Sequence, residues 1–313
     1  MKQTKNFMSH GYTLIFIAGF LWGCIGLFVK ELENAGSTPE LTAFLRVFFA
    51  FIIMLIASCI KGGWRSLIVD GKTLLSCALL GLICHGIYNI FYSLAVTMAG
   101  VSVSAVLLNI APVFTLFFSA MLFREKITAI KLAAIVINIF GCVLTVTNGV
   151  FDIQTLSIIG LLCGVGAGIC YALTSVIGKL AADKTDPFVM SMYSYLFAAM
   201  FLALWMKPWQ QEIHCDVTIL VWGALYALIP TAIAYVIYYR GLQSLTENSK
   251  APVIASVETV VAAVIGVTIY REQIGGFSII GIVLVLISIV IMNMRLQHKN
   301  NSKIYVRGDG NGY

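Results

Sequence analysis

Charged residues are scarce in this chain of 313 amino acids. Lysine, arginine, aspartate and glutamate together make up 11% of the sequence, against about 25% in an ordinary soluble domain. Hydrophobic residues make up 60%, and the mean hydropathy is +0.94. Because so few charges cannot cover a water-exposed surface, the composition excludes a soluble globular protein and indicates an integral membrane protein.

The sequence also lacks the motifs that several kinds of chemistry require. It contains no glycine-rich nucleotide-binding loop, so ATP is excluded as the direct energy source. A membrane enzyme, the alternative from another functional class, would need a clustered metal site or a nucleophile with its base. A lone Glu258 and a lone His85 on different apolar stretches supply neither. The sequence therefore predicts no metal site, no cofactor and no enzymatic activity.

Ten apolar stretches are long enough to cross the hydrocarbon core of a bilayer, which takes about 20 residues. They cover residues 12–31, 39–60, 73–96, 101–123, 128–148, 156–179, 187–206, 218–241, 251–270 and 276–294. The polar connections between them are short and leave no room for a sizeable soluble domain. The sequence therefore predicts an all-α integral membrane protein with ten transmembrane helices, for which the lipid bilayer is one partner.

The net charge of +6 is spread over the loops rather than clustered, which argues against nucleic acid as a partner. With the N-terminus in the cytoplasm, sixteen of the 20 lysines and arginines fall on the cytoplasmic side. Three fall outside, namely Lys30, Lys207 and Arg271. This bias predicts a protein of the cell membrane with both termini in the cytoplasm. The polar tail 297–313 carries too little apolar sequence to fold, so we expect it to be disordered.

The dipeptide Arg124-Glu125 ends one apolar stretch and returns 147 residues later as Arg271-Glu272. Further pairs share this offset: Tyr88 with Tyr235, Tyr92 with Tyr239, and Ser102 with Ser249. Five apolar stretches separate the two dipeptides, and because five is odd the second copy must be inverted in the membrane. Inverted repeats are typical of secondary transporters. We therefore expect two inverted five-helix repeats, at residues 11–149 and 156–295.

In these residues the chain resembles the drug/metabolite transporter superfamily, and within it the ten-helix proteins with two EamA repeats. The resemblance covers about residues 11–295 and is carried by runs in both halves. These are Leu-Asn-Ile-Ala-Pro at 108–112 leading to Leu-Phe-Arg-Glu at 122–125, Ser-Val-Glu-Thr at 256–259 leading to Tyr-Arg-Glu at 270–272, Tyr-Ser-Leu-Ala at 92–95, and Tyr-Arg-Gly-Leu at 239–242.

The resemblance implies a transporter with a central cavity. The third, fourth, eighth and ninth helices would line it, together with the first and sixth. It also implies a break in the ninth helix. Many relatives carry a proline after the glutamate in this region, whereas this chain has Thr259.

Glu258 is the only acidic residue well inside a predicted span. An ionised carboxylate at mid-bilayer costs about 2.5–3.5 kcal/mol on insertion scales, so we expect Glu258 to face protein or water. Small residues at helical spacing, Ala251, Ala255, Ala262 and Gly266, place this face against other helices. Two functions fit: binding a substrate ammonium group, and reversible protonation during transport. A hydrogen bond between helices is the structural alternative.

His85 and Tyr88 share one face of the third span with Tyr92. Tyr235, Tyr238 and Tyr239 form a second aromatic stripe in the eighth span, where Pro230 predicts a kink. Two facing stripes suit a mostly apolar pocket with a few polar groups, whereas tyrosines near helix ends also fit an interfacial belt. Further polar candidates for the substrate site are Trp22, Asn109, Tyr171, Thr174, Ser175 and Ser256.

Arg46 lies about 10 Å into the second span, at 1.5 Å per residue. We expect its side chain to reach outward to the surface or to bond backbone carbonyls, with a substrate carboxylate as the alternative. The two Arg-Glu dipeptides sit at helix ends, where local charge pairing and helix capping explain them.

The sequence therefore predicts a secondary transporter of small-molecule metabolites that works by alternating access. The first hypothesis is export of amino acids or related metabolites, and the alternative is a sugar, nucleotide or drug carrier of the same superfamily. Arg46 as the single buried cation argues against a phosphate-bearing substrate, which would need several. Proton coupling and a homodimer are both left open.

Overall fold

The computed structural model describes residues 2–150, 157–207, 216–271, 273 and 275–293. The tail 297–313, for which we expect disorder, lies outside the described residues. Within the described ranges, ten helices are long and apolar enough to cross a membrane. They are α1 (His10–Asn34), α2 (Pro39–Gly62), α3 (Gly71–Ala99), α4 (Val103–Phe123), α5 (Ala129–Thr147), α6 (Ile158–Ala182), α7 (Pro187–Met206), α8 (Val217–Ser244), α9 (Asn248–Thr268) and α10 (Gly276–Asn293).

The prediction of an all-α protein with ten membrane spans is confirmed, and the described residues contain no strand. Helices α2 and α7 begin at Pro39 and Pro187, where proline costs no helical hydrogen bond. The preceding residue caps each helix. Thr38 Oγ1 accepts the N–H of Leu41 at 3.2 Å, and Asp186 Oδ1 accepts that of Phe188 at 3.0 Å.

Two helix irregularities recur at corresponding positions of the two repeats. Helices α3 and α8 each contain a π-helical segment, Leu80–Ile87 and Leu228–Ile233. Helices α4 and α9 are each interrupted, at Asn109 and at Ser256, which are 147 residues apart. The offset that relates the two Arg-Glu dipeptides therefore also relates the irregularities of the backbone, which confirms the inverted five-helix repeats.

The break in α9 is present although Thr259 replaces the proline of many relatives. It separates Ala251–Ala255 from Val257–Thr268. The hydroxyl of Ser256 donates to the carbonyl of Val253 at 2.6 Å and so competes with the N–H groups of the helix for that acceptor. A local side-chain hydrogen bond therefore accompanies the break, which does not require a proline after Glu258.

The arginine of each repeated dipeptide follows the end of a helix: Arg124 comes directly after Phe123, and Arg271 comes three residues after Thr268. Arg124 and Arg271 both adopt the left-handed backbone conformation, with φ of 54° in each case. A residue in this conformation terminates an α-helix and is most often glycine. The two repeats thus share the same strained backbone conformation at equivalent arginines.

Glycines allow two pairs of helices to approach closely. Helix α10 packs along α5, and a Cβ atom at Gly281 would lie 2.5 Å from the carbonyl oxygen of Gly141. Helix α1 packs on α9, and a Cβ atom at Gly19 would lie 2.5 Å from the carbonyl oxygen of Ala255. The second contact holds α9 beside Trp22 of α1, which lies one turn beyond Gly19.

The Gly281→Ala substitution is expected to destabilise the protein. Overpacking costs about 1–3 kcal/mol and outweighs the roughly 1 kcal/mol that alanine gains over glycine in a helix. The matched control is Gly26→Ala, because a Cβ at Gly26 meets nothing within 4 Å. Thermal unfolding in detergent should give a lower Tm for Gly281→Ala than for Gly26→Ala. Equal Tm values would contradict the close packing of α5 and α10.

The ten helices run alternately between two faces of the bundle. The N-terminal face is the one where α1 begins; it holds the connections α2–α3, α4–α5, α6–α7 and α8–α9. The opposite face holds the remaining connections. Helices α1, α3, α7 and α9 run away from the N-terminal face, and α6 and α8 run towards it. Depth along the bundle can therefore be read from position along each helix.

Candidate functional site

Aromatic side chains from five helices meet at the centre of the bundle, around Trp22 of α1. The ring centroid of Trp22 lies 4.9 Å from that of Tyr235 and 4.8 Å from that of Tyr238, both on α8. Tyr171 of α6 lies at 6.3 Å. Because Trp22 belongs to the first repeat and its three neighbours to the second, this contact joins the two halves of the protein.

Helix α3 supplies the other wall. The ring of His85 lies 4.9 Å from Tyr235 and 5.1 Å from Tyr195 of α7. Tyr88 lies 6.3 Å from Tyr171 and stacks on Tyr92. The central cluster thus consists of Trp22, His85, Tyr88, Tyr92, Tyr171, Tyr195, Tyr235 and Tyr238.

His85 lies in the π-helical segment of α3, a kind of distortion that occurs frequently at functional sites. Its Nε2 atom is buried and has no hydrogen-bond partner among the described residues, and the same holds for Nε1 of Trp22. Buried polar groups in proteins are nearly always paired. The central cluster therefore presents hydrogen-bonding groups that the described protein does not itself satisfy.

Glu258 adjoins this cluster. The hydroxyl of Tyr171 donates to its carboxylate, 3.2 Å from Oε1 and 3.3 Å from Oε2. Because α9 is broken at Ser256, Glu258 stands in the first turn of the half-helix Val257–Thr268. The positive end of that helix dipole stabilises a carboxylate there. No cation pairs with Glu258 among the described residues.

Arg46 of α2 reaches the same region from the other side. Its Nε donates to the hydroxyl of Thr231 at 3.0 Å, within the π-helical segment of α8. Its guanidinium carbon lies 5.1 Å from the ring centroid of Tyr226. The expectation that Arg46 reaches the surface or bonds carbonyls was wrong: its exposed fraction is 8%, and the bond that the structure shows goes to a hydroxyl.

Two predicted site residues lie elsewhere. The hydroxyl of Ser256 accepts a bond from Nδ2 of Asn138 at 2.6 Å, and Asn138 also donates to Ser288 at 3.0 Å. This buried group joins α5, α9 and α10. Asn109 donates within its own helix, to the carbonyl of Ala105 at 2.8 Å. Both residues mark helix breaks, because a polar side chain that bonds nearby groups competes with helical hydrogen bonds.

The remaining candidates stand in or beside the central cluster. The hydroxyls of Ser175 and Tyr238 are 2.6 Å apart, so Ser175 orients Tyr238. Thr174 bonds the carbonyl of Cys170 within α6 at 3.4 Å. Sequence reasoning missed Tyr195, whose hydroxyl donates to the carbonyl of Thr231 at 3.3 Å. The residue 147 positions before Tyr195 is Phe48, not a tyrosine. Aligning the two halves therefore did not point to Tyr195.

The side chains of the central cluster become more exposed towards the opposite face. Tyr238 and Tyr239, nearer the N-terminal face, have exposed fractions of 2% and 0%. Tyr88, Tyr92 and Glu258, further towards the opposite face, are partly exposed. A groove of about 170 Å³ between α1 and α9 continues in that direction, lined by Gly23, Gly26, Lys30, Ala262, Ile265, Gly266 and Tyr270. The central cluster is therefore buried on the side of the N-terminal face, where a groove of about 390 Å³ at the α2–α3 and α6–α7 connections is lined by none of its side chains.

Charged side chains join the two repeats at the N-terminal face. Lys131 Nζ lies 3.3 Å from the carboxylate of Glu125 and 2.9 Å from that of Glu247. Lys250 Nζ lies 2.8 Å from Glu247. These four side chains, Glu125, Lys131, Glu247 and Lys250, form the N-terminal-face network. Partial burial raises the pKa of Glu247, but hydrogen bonds from Lys250 and Lys131 outweigh this and hold it below its ordinary value.

Glu125 caps a helix of the other repeat. Its carboxylate accepts the backbone N–H of Ser249 at 3.3 Å and that of Asn248 at 2.5 Å, at the start of α9. The expected charge pairing and helix capping are both found at Glu125, although the helix that it caps belongs to the other repeat. At the position 147 residues beyond Lys131 stands Ser278, whose hydroxyl donates to the carbonyl of Thr145 at 3.0 Å. The lysine of the network thus has no counterpart in the second repeat.

The two halves also match one protein family separately. The model of the EamA-like transporter family matches residues 9–147 and again residues 158–294. The chain belongs to the EamA-like transporter family. Each match contains five of the ten described helices, so one EamA repeat corresponds to one five-helix half.

Several relatives of this EamA-like transporter carry the word transporter in their names. An uncharacterized transporter of Archaeoglobus fulgidus is 24% identical over 91% of this chain and 96% of its own length. One of Clostridium kluyveri is 25% identical over 91% and 93%, respectively. YwfM of Bacillus subtilis, another uncharacterized transporter, is 25% identical over 89% and 92%.

A solved crystal structure has the same fold. It is 18% identical in sequence, superimposes with a TM-score of 0.78, and the match covers 91% of this chain and 96% of that chain. Together, the family and the ten apolar helices show a multi-pass membrane transporter. The names of the family and of its members indicate transport rather than enzymatic activity.

Proposed function

We propose that this EamA-like transporter is a secondary carrier of amino acids or related small amphiphilic metabolites. The observation that carries the proposal is the central cluster, where aromatic rings from both repeats surround a few polar groups beside Glu258. A mostly apolar pocket with a small number of placed polar groups suits a small amphiphile. The substrate would stack on the rings and bond the unpaired nitrogens of Trp22 and His85.

Within this proposal, the described structure is one end state of alternating access. In this proposal the N-terminal face lies in the cytoplasm, the orientation that the positive-inside bias of the sequence favours. The N-terminal-face network then closes the route to the cytoplasm, and the site is reached from outside. In the other end state the N-terminal-face network would be open and the opposite face closed, so that the site would be reached from the cytoplasm. The carrier would run in the direction of export on a proton or substrate gradient.

Glu258 would act at the centre of this cycle. A carboxylate at the N-terminal end of a half-helix in mid-membrane can bind a substrate ammonium group, or it can take up a proton in one state and release it in the other. Tyr171 would hold the carboxylate in place through the bonds of 3.2 and 3.3 Å. In both roles Glu258 would contact a transported species, either the substrate or a proton.

Purified protein in liposomes provides the test. Vesicles loaded with unlabelled amino acid should accumulate the same labelled amino acid by counterflow, without chemical change, and empty vesicles should not. In detergent, the same amino acid should raise the Tm, because a ligand that binds only the folded state stabilises it. Sugars and cationic drugs serve as controls. A response to sugars or drugs alone would replace the amino acid with another substrate class, and chemical conversion of the probe would indicate an enzyme.

A further inference from the structure

Helix α1 is interrupted at Cys24, so that Ile25–Asn34 forms a separate piece, the α1 end segment. The backbone bonds at the break are of the 3₁₀ kind. The N–H of Cys24 donates to the carbonyl of Leu21 at 3.2 Å, and the N–H of Leu27 donates to that of Cys24 at 3.1 Å. A 3₁₀ stretch inside a long helix often marks a hinge. The position 147 residues beyond Cys24 is Tyr171, in the uninterrupted helix α6. The first repeat therefore has a hinge in α1 that α6 does not share.

One face of α1 packs on α9 before the break and separates from it after the break. Gly19, Gly23 and Gly26 lie on this face at helical spacing. A Cβ atom at Gly23 would lie 2.5 Å from Cβ of Val261 and 2.8 Å from the carbonyl oxygen of Glu258. A Cβ atom at Gly26 would meet nothing within 4 Å. The two helices therefore touch as far as Gly23 and diverge beyond it.

The divergence leaves the groove of about 170 Å³ between α1 and α9. Its lining on α9 includes Ala262 and Gly266, which follow Glu258 by four and eight positions and so continue the helix face that carries this residue. At the end nearer the opposite face, Lys30 Nζ lies 3.8 Å from the ring centroid of Tyr270. The groove thus extends from the level of Glu258 towards the opposite face and is crossed there by a long side chain.

The α1 end segment packs on α8. The ring of Phe28 stacks on Tyr226 at 6.1 Å and meets Trp222 edge-on at 6.2 Å. Both partners belong to the first part of α8, Val217–Ala227, which the π-helical segment Leu228–Ile233 separates from the rest. Kinks in helices occur at such irregular segments. The end segment and the part of α8 beneath it can therefore tilt together without bending a regular helix.

The walls of the groove suit a closer approach of the two helices. Gly26 on α1 faces a wall that includes Ala262 and Gly266 on α9. Helices in membranes associate through van der Waals packing, for which small residues permit close contact, and a gap forfeits that attraction. We infer that the α1 end segment is a gate, which hinges at Gly23 and Cys24, moves onto α9 and covers Glu258 from the opposite face. This inference rests on the proposed function and adds the segment that closes the opposite face.

The first test joins the two walls of the groove by a disulfide. The Cβ atoms of a disulfide lie about 3.8 Å apart, and nothing stands within 4 Å of a Cβ at Gly26. Gly26→Cys with Ala262→Cys should therefore bond when the gate closes. Copper phenanthroline added to the full-length protein in liposomes should yield a linked 26–262 peptide in mass spectra. Counterflow of phenylalanine should stop and should return on reduction. The two single variants reveal any bonds to native cysteines. Absence of the linked peptide would overturn the gate.

The second test fills the groove. Gly26→Leu places a side chain in the space that closure would remove, so overpacking should reduce the closed population, and with it counterflow of phenylalanine, at least about tenfold. The open state keeps its site, so phenylalanine should raise the Tm of Gly26→Leu as it does in wild type. The matched control is Gly276→Leu at the start of α10, where a Cβ also meets nothing within 4 Å. This control should keep both binding and counterflow.

The possible failures can be told apart. If Gly26→Leu transports phenylalanine as fast as Gly276→Leu, the gate is overturned and the proposed function stands. If Gly26→Leu alone has a lower Tm than Gly276→Leu, the disulfide decides: a linked 26–262 peptide supports the gate, and its absence refutes it. If wild type neither binds nor transports any amino acid, the amino-acid proposal falls, while the disulfide still shows whether the α1 end segment reaches α9.

Discussion

Counterflow of amino acid by the Glu258→Gln variant is expected to fall by about 10–100-fold. Glutamine keeps the shape of the side chain and can still accept the hydroxyl of Tyr171, but it carries no charge. A hydrogen bond to a charged group contributes about 1.5–3 kcal/mol, and each 1.4 kcal/mol corresponds to roughly a factor of ten. Loss of the carboxylate should therefore weaken binding of an ammonium group without unfolding the protein.

The assay separates the two roles proposed for Glu258. Binding of the substrate ammonium predicts that Glu258→Gln impairs both exchange and net flux. Reversible protonation predicts that exchange survives while net flux loses its dependence on pH. Tm should change little, because the bond to Tyr171 can persist. The control is Glu33→Gln, which removes an exposed carboxylate at the end of α1. Unaltered exchange, flux and pH dependence in Glu258→Gln would show that this carboxylate has no part in transport.

Replacing Lys131 by glutamine is expected to give the largest loss of stability. The side chains of Lys131 and Glu125 have exposed fractions of only 4% and 5%. Removing one partner of a buried ion pair typically costs about 3–5 kcal/mol, because the other charge stays buried and uncompensated. Tm should fall, and hydrogen exchange in residues 245–255 should speed up, since Glu125 then no longer holds the start of α9 firmly.

Two further variants isolate the contribution of charge. The double variant Glu125→Gln with Lys131→Gln should lose less stability than the two single variants added together, because each single variant already removes the same salt bridge. Lys61→Gln breaks the pair of Lys61 with Asp186, whose side chains are 47% and 41% exposed, and should cost at most about 1 kcal/mol. If Lys131→Gln were no worse than Lys61→Gln, the network would not stabilise the closed N-terminal face.

Acid should weaken the same network. The pKa of Glu247 is held below its ordinary value, which is about 4.3 for an unperturbed glutamate. A group whose pKa is lowered by folding stabilises the folded state above that ordinary value. The contribution disappears as pH falls through the lowered pKa and the carboxylate takes up a proton. Relative to the intrinsic exchange rate at each pH, the protection of amides in residues 245–255 should therefore decrease at low pH, and less so in Glu247→Gln.

Much of the architecture could be derived from the sequence because the membrane imposes simple rules. Apolar runs of sufficient length predicted all ten helices. The odd number of runs between the two Arg-Glu dipeptides predicted that the second repeat is inverted relative to the first. The same pairing of halves led to Tyr88 and Tyr235, which the structure places in one cluster with Trp22, Tyr171 and Glu258. Residues that recur at a fixed offset in an inverted repeat tend to face the same central space.

The remaining parts depend on contacts between residues far apart in sequence. Arg46 meets Thr231 across 185 positions, and no local pattern shows that a π-helical segment will present a hydroxyl there. Glu125 likewise meets Ser249 of the other repeat, although its own neighbour in sequence is a cation. Ser256 and Asn109 looked like binding groups because they are polar residues in apolar helices. In the described structure, their hydrogen bonds lie at the two helix breaks.

The lysine of the N-terminal-face network has no counterpart at the repeat offset, where Ser278 stands, so the two repeats contribute different side chains to the two faces. Lys131 forms a buried salt bridge at the N-terminal face, whereas the described contacts of Ser278 at the opposite face are neutral hydrogen bonds. In the proposed orientation, opening towards the cytoplasm would require these buried charges to separate, a cost that the hydrogen bonds of Ser278 would not impose on opening to the outside.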